Sequence, residues 1–400
     1  MNKGRILKIK LPHLLCLVAL LSGCSTLKFW EDDKVESGGE GEAALEIDAE
    51  PSELLAYEEQ VKIRKLWRSS VGKDQDPQSA SLQPALLGDH IFAAGPGGNV
   101  SSFTVSGGDR VWSTKLDETL LGGVGVGADL VVVGSMQGEV IALSANTGEH
   151  MWRTELTSEV IAPPAINENI IVVQSQDGKA HGLSLTGELL WRYSTELPVL
   201  SLRGTSAPSL TRNMAIVGFA NGKVIALNAT SGALLWEAKL FTGEGKSELE
   251  RMVDVNTPIV VGDLVYVNSY QGKIGALSRG AGRELWAENS SSYRGLSYGG
   301  GRLYQASTDD KVYAYQATSG KQLWSNGEFL RRKLTAPSAI GDYAAVADRE
   351  GYLHVLSAED GQVVGRTKVD GDGVSVPMIS VDNVLYVQDN GGDLTAYQID

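Results

Sequence analysis

Apolar residues fall in short runs separated by glycine-containing turns, and the runs recur in one fixed order along most of the chain. An Ala-Pro or Thr-Pro pair opens a unit, as at Ala207-Pro208, Thr257-Pro258 and Ala336-Pro337, with Val376-Pro377 as a variant. A second apolar run follows, such as Leu130–Val133, Leu264–Val267 or Val384–Val387. The third run and a fourth that ends in tryptophan are joined by another turn. They read GKVIALNATSGALLW at Gly222–Trp236, GEVIALSANTGEHMW at Gly138–Trp152 and DKVYAYQATSGKQLW at Asp310–Trp324. Four short strands in each repeated unit predict the blades of an all-β propeller. Glycine suits the turns, because hairpins between right-twisted strands need positive φ. The tryptophans are expected to pack between neighbouring blades, each burying on the order of 200 Å².

Units ending at Trp112, Trp152, Trp191, Trp236, Trp286, Trp324 and Gly365 make seven. An eighth opens at Val376-Pro377, reaches the third-strand pattern at Gly392–Gln398, and stops one strand short at Asp400. Ile63–Arg68, with Trp67, is a matching orphan strand before the first unit. Pairing the two removes two exposed edges. The prediction is an eight-bladed propeller over residues 61–400, four antiparallel strands per blade, the last blade closed by the N-terminal strand. Gly365 has no ring, so the outer strand of blade 7 is expected to be the least well packed.

Intervals between successive tryptophans locate irregularities. From Trp67 to Trp324 they run 45, 40, 39, 45, 50 and 38 residues. The two adjacent long ones place extra residues in Leu197–Ala207 and Phe241–Asn256, connections that lie side by side on one face. Leu200 and Leu202 are apolar, Arg203 and Arg251 offer planar donors, and Glu250 and Asp254 carry countercharge, as a protein-binding patch requires. The same residues also suit a brace, with the leucines plugging the wall and Arg203 paired to Asp254. Both readings stay open here.

Composition narrows the classes. Forty-seven glycines support many tight turns, and a net charge of −14 leaves no electrostatic footprint for nucleic acid. Residues 1–23 read as a signal peptide: Lys3, Arg5, Lys8 and Lys10, then the short apolar core Leu14–Leu21, then Leu21-Ser22-Gly23-Cys24. That last tetrapeptide has the form of a bacterial lipobox, with Cys24 the lipidated thiol. Cleavage there removes Cys16 and four positive charges, taking −14 to −18. Residues 24–60 are expected to be an acidic, solvated tether, since twelve acidic residues in Glu31–Gln60 oppose only Lys34.

Lipobox, acidic tether, the repeats and the LSLRGTSAP loop together resemble the BamB family, lipoproteins of the outer-membrane β-barrel assembly machinery. The resemblance covers essentially the whole chain after the signal, and LSLRG with DVNTP is its most specific part. It implies a non-enzymatic scaffold that needs no cofactor. It also implies an outer-membrane, periplasm-facing location, which Ser25 after the cysteine supports. The implied partners are the periplasmic domains of BamA, the other lipoproteins of the complex and nascent outer-membrane proteins. Contact residues correspond to Leu200, Leu202, Arg203, Asp254 and Asn256, where the family pattern has Asp at the last position. Asn still accepts a hydrogen bond but forms no ion pair.

Two other classes compete. Quinoprotein dehydrogenases use related blades, yet the sequence has no Cys-Cys pair, no C-x-x-C-H and no H-E-x-x-H. A propeller binding peptide or cell wall on its own is the other alternative.

Overall fold

The computed structural model describes residues 50–72, 81–202, 206–241, 243, 245–369 and 372–400. Among these, regular structure is entirely β, and the strands form eight sheets. Blade 1 consists of Ala85–Leu87, His90–Ala94, Asn99–Thr104 and Arg110–Lys115, each strand antiparallel to the next. Blades 2 to 7 repeat this order and end with the outer strands His150–Glu155, Leu189–Ser194, Leu234–Lys239, Glu284–Ser290, Gln322–Asn326 and Val363–Lys368. First strands of neighbouring blades touch each other, which places them innermost around the axis. Blade 2 carries an addition: Ser81–Leu82 pairs in parallel with Gly122 and Gly123.

Blade 8 is composite. Its strands Ile379–Val381, Val384–Gln388 and Asp393–Ile399 are completed by Ile63–Ser70, which runs antiparallel from Ile63 opposite Ile399 to Ser70 opposite Asp393 with a bulge between Lys65 and Trp67. The predicted closure is therefore the observed one.

The middle strands are sandwiched between neighbouring blades, so they read as unbroken apolar runs; Leu130–Ser135 is buried throughout. The core lies between blades. One cluster joins Ile216, Val224 and Ala226 of blade 4 to Val265, Val267 and Leu277 of blade 5. Outer strands face solvent on one side and alternate, as in Arg110–Lys115.

Seven seams share one latch. The tryptophan on each outer strand reaches into the next blade and donates its indole N–H to a carbonyl there. Trp67 bonds Val105 at 2.9 Å, Trp236 bonds Arg279 at 2.7 Å and Trp324 bonds Ala358 at 2.9 Å. Trp112, Trp152, Trp191 and Trp286 do the same to Ala145, Leu185, Ala229 and Ala317. Beneath the rings lie turn glycines with positive φ. At Gly282 (φ +63°) an added Cβ would sit 2.4 Å from Cε3 of Trp236. Glycine there serves both the turn and the ring.

The seam from blade 7 to blade 8 differs, and the expectation of a poorly packed outer strand there is overturned. Val363 and Val364 are 6% and 2% exposed, and Gly365 is buried. Blade 8 has no turn between its third and fourth strands, because the fourth comes from the other end of the chain. No glycine platform exists to receive a ring. Instead the N–H groups of Gln60 and Val61 donate to the Val364 carbonyl at 2.9 and 3.1 Å. Lys62 and Asp400 exchange backbone bonds of 3.2 and 3.0 Å.

Residues 50–60 have no regular secondary structure but lie on the walls of blades 6 and 7, so the solvated-arm expectation does not describe the last eleven residues of the tether. Arg331 Nε, Arg332 Nη1 and Arg366 Nη1 donate to the carbonyls of Glu50, Ser52 and Leu55 at 2.7, 2.9 and 2.9 Å. Tyr57 lies 4.8 Å under the Arg366 guanidinium. Below them is a buried network. Arg332 Nε donates to Asp348 Oδ2 at 2.6 Å, and Arg366 Nε donates to His354 Nδ1 at 3.0 Å. With Nδ1 accepting, the proton sits on Nε2 and is donated to Asp348 at 2.9 Å, so the imidazole is neutral. Burial pushes the His354 pKa down, outweighing Asp348 beside it.

Candidate partner-binding loops

The two long connections lie together, as the spacing predicts. In the first, Leu197, Val199 and Leu200 are 46%, 80% and 44% exposed, an apolar crest on a loop. Leu202 is half-buried and, with Leu197 and Ser201, roofs a small cavity of about 30 Å³ over Gln174, Ser206 and Asp254. Arg203 lies outside the described residues, as does Cys24.

The second connection is pinned at its ends and open in the middle. Phe241, Val253 and Val255 enter the core between blades 4 and 5. Val253 bridges Asn221, and Val255 bridges Ser269, stitching the loop to inter-strand turns of both blades. Between these anchors, Leu249 is 60% exposed. Arg251, expected to offer donors to a partner, is engaged within its own loop by Glu248 and by the carbonyls of Gly245 and Lys246 at 3.3 and 3.4 Å. Glu250 is likewise spent on the N–H of Ser247, at 3.1 Å, and that of Lys246; these bonds hold its pKa below the usual carboxylate range.

Asp254 is 5% exposed and accepts the Leu202 N–H at 2.9 Å. It therefore braces one loop against the other rather than presenting a charge outward. Burial pushes its pKa up to about 7, the Leu202 bond opposing. Asn256 points elsewhere: its Nδ2 donates to Ser292 O at 3.0 Å, and the residue borders the axial cavity. Of the five sequence-predicted contact residues, the structure joins Leu202 to Asp254 and leaves Leu200 exposed on the same loop. It places Asn256 one blade further round the same face.

Sequence reasoning missed a second element of this face. Tyr270 and Tyr293 stack with centroids 4.8 Å apart at 19°, and Tyr293 is 47% exposed. The available signal was an aromatic in a turn and another in the next connection. Among the described residues, no group of three or more His, Cys, Asp or Glu is arranged to hold a metal.

A family model described as outer membrane protein assembly factor BamB matches residues 96–326 and 309–400. The chain belongs to the BamB family. The BamB of Pseudomonas aeruginosa is 46% identical over 351 residues, 87% of this chain and 92% of that protein. BamB from Moraxella catarrhalis has a crystal structure similar at TM-score 0.75 and 31% identity, covering 83% of this chain and 99% of that one. A quinohemoprotein alcohol dehydrogenase from Pseudomonas putida reaches TM-score 0.66 at 12% identity, covering 84% of this chain and 76% of that one; this likeness extends to the fold alone. BamB membership places the chain with outer-membrane assembly factors and apart from the quinone enzymes.

Proposed function

We propose that this chain is a lipid-anchored scaffold of outer-membrane β-barrel assembly, attached through Cys24 and facing the periplasm. Its grip on the soluble domains of BamA runs through the Leu197–Ala207 and Phe241–Asn256 loops. The observation that supports this most is the exposed crest of Leu197, Val199 and Leu200, on a loop whose base is held by the Leu202–Asp254 bond. An apolar crest on a rigid base loses little entropy on docking and can supply a hot spot. Leu200 and Leu202 then contact BamA, Arg203 adds the planar donor that the family resemblance implies, and Asp254 positions them. Asn256, at the edge of the same face, extends the contact toward the Tyr270–Tyr293 pair. The other assembly lipoproteins and nascent outer-membrane proteins join through BamA or the remaining wall.

The test is capture of BamA from detergent-solubilised membranes by a variant carrying Val199→Asp and Leu200→Asp. Losing a central apolar anchor costs about 2 kcal/mol or more of binding, so capture is expected to fall at least roughly tenfold with the melting temperature unchanged. A stable variant that still captures BamA in full assigns the contact to another face.

A further inference from the structure

The first strands enclose an axial cavity of about 370 Å³, on the face that carries the long loops. Its wall mixes hydroxyl and amide groups (Asn256, Ser338, Ser375) with apolar ones (Leu296, Met378), and among the described residues it contains one charged side chain, Arg294. Among the described residues no Asp or Glu lines it, in a chain with 49 acidic residues against 35 basic ones.

Arg294 Nε donates to Leu334 O at 3.3 Å, and among the described residues the guanidinium forms no ion pair. The acid whose field reaches it is Asp310, whose two oxygens already accept the N–H groups of Lys333 and Leu334, each at 2.9 Å. A second guanidinium, Arg349, adds like charge beside Arg294, and its Nε is buried without an acceptor among the described residues. Ser375 Oγ, in a residue 9% exposed on the cavity wall, also has no partner among them. A largely desolvated guanidinium such as Arg294, with no dedicated counterion among the described residues, is costly unless an anion joins it.

We propose that the axial cavity binds a carboxylate, with the Arg294 fork taking its two oxygens, Ser375 adding a hydroxyl donor and Arg349 supplying long-range charge. The planar guanidinium matches a carboxylate in bidentate fashion, and the apolar part of the wall suits an attached carbon skeleton. The volume falls within the usual range for a small-molecule site. The carboxylate comes from a free organic acid or from the C-terminus of a peptide.

Titration calorimetry on the full-length protein in detergent tests this with succinate, N-acetyl-trialanine, its C-terminal amide and inorganic phosphate. One saturable site is expected for at least one carboxylate probe and none for the amide. Arg294→Gln is expected to weaken it by roughly tenfold or more, as for a lost hydrogen bond to a charged group, and Arg349→Gln by less. Succinate binding alone identifies a free acid as the source; binding of the acid peptide identifies a chain end. No saturable carboxylate binding, phosphate binding alone, or equal binding to Arg294→Gln overturns the proposal. Should Arg294→Gln lose its melting transition, Arg349→Gln and Ser375→Ala serve in its place, and unchanged affinity in both overturns it equally. BamA capture does not enter the readout, so this site fails or stands separately from the loop surface.

Discussion

Seven seams of this ring are closed by a tryptophan seated on a glycine turn, and one is closed by a strap of backbone and arginines. The tryptophan latch needs a continuous hairpin in the receiving blade. Blade 8 cannot offer one, because its third strand ends at Ile399 and its fourth begins at Ile63. Gly365 is therefore not a weakened copy of the repeat. It leaves room for Val61, whose carbonyl would lie 3.2 Å from a Cβ placed there. One kind of seam is apolar and local in sequence. The other also has an apolar core, around Val61, Val355 and Leu385, but it draws on both chain ends and is closed by main-chain hydrogen bonds instead of an indole.

Deleting residues 61–68 should have the largest effect, since it removes the closing ladder, the Trp67 latch and the Val61 contact together. Loss of a cooperative thermal transition by circular dichroism is expected; an unchanged melt would show that closure contributes nothing. Next comes Trp236→Ala at an ordinary seam, expected to cost about 3–5 kcal/mol in denaturant unfolding. Gly365→Trp sharpens the contrast: a ring at the exceptional seam meets Val61 and Ile63 and is expected to destabilise by about 1–3 kcal/mol. A gain in stability would make all eight seams equivalent after all.

The smallest effect is in pH. Burial holds the folded His354 below its ordinary pKa, so the unfolded chain takes up protons first as pH falls through about 6.5. The contribution of His354 is therefore greatest above that window and declines as pH drops from 7 toward 5, while Asp254, raised to about 7, acts in the opposite sense. His181 in blade 3, pushed down to about 4 by burial, adds a contribution of the same sign as His354. Hydrogen exchange separates the two. Lower protection at Gln60 and Val61 on acidification, after correction for the intrinsic pH dependence of exchange, is expected and is abolished in His354→Gln, while the tryptophan seams away from blade 7 stay unchanged. Uniform acceleration around the ring would remove the distinction.

Blade number and closure were legible because tryptophan and glycine repeat at intervals that backbone geometry enforces. The role of Gly365 was not, since it depends on what the opposite end of the chain places beside it. The packing of residues 50–60 was hidden for a related reason. Its partners, Arg331, Arg332 and Arg366, read main-chain carbonyls, which leave no side-chain pattern to recognise. At the candidate site, loop length showed where to look. Charge alone did not show that Asp254 faces inward to Leu202 while Arg251 closes on its own loop. Those outcomes are set by local backbone donors and by burial.

The strap also decides how the molecule carries mechanical load. A pull on the chain from its N-terminal side arrives at Glu50, where it meets the grips on Glu50, Ser52 and Leu55 before the Ile63–Ser70 ladder. Tension is thus spread over blades 6 and 7 as shear on several bonds. The closing strand is spared being peeled away one residue at a time, and the ring stays shut under tension.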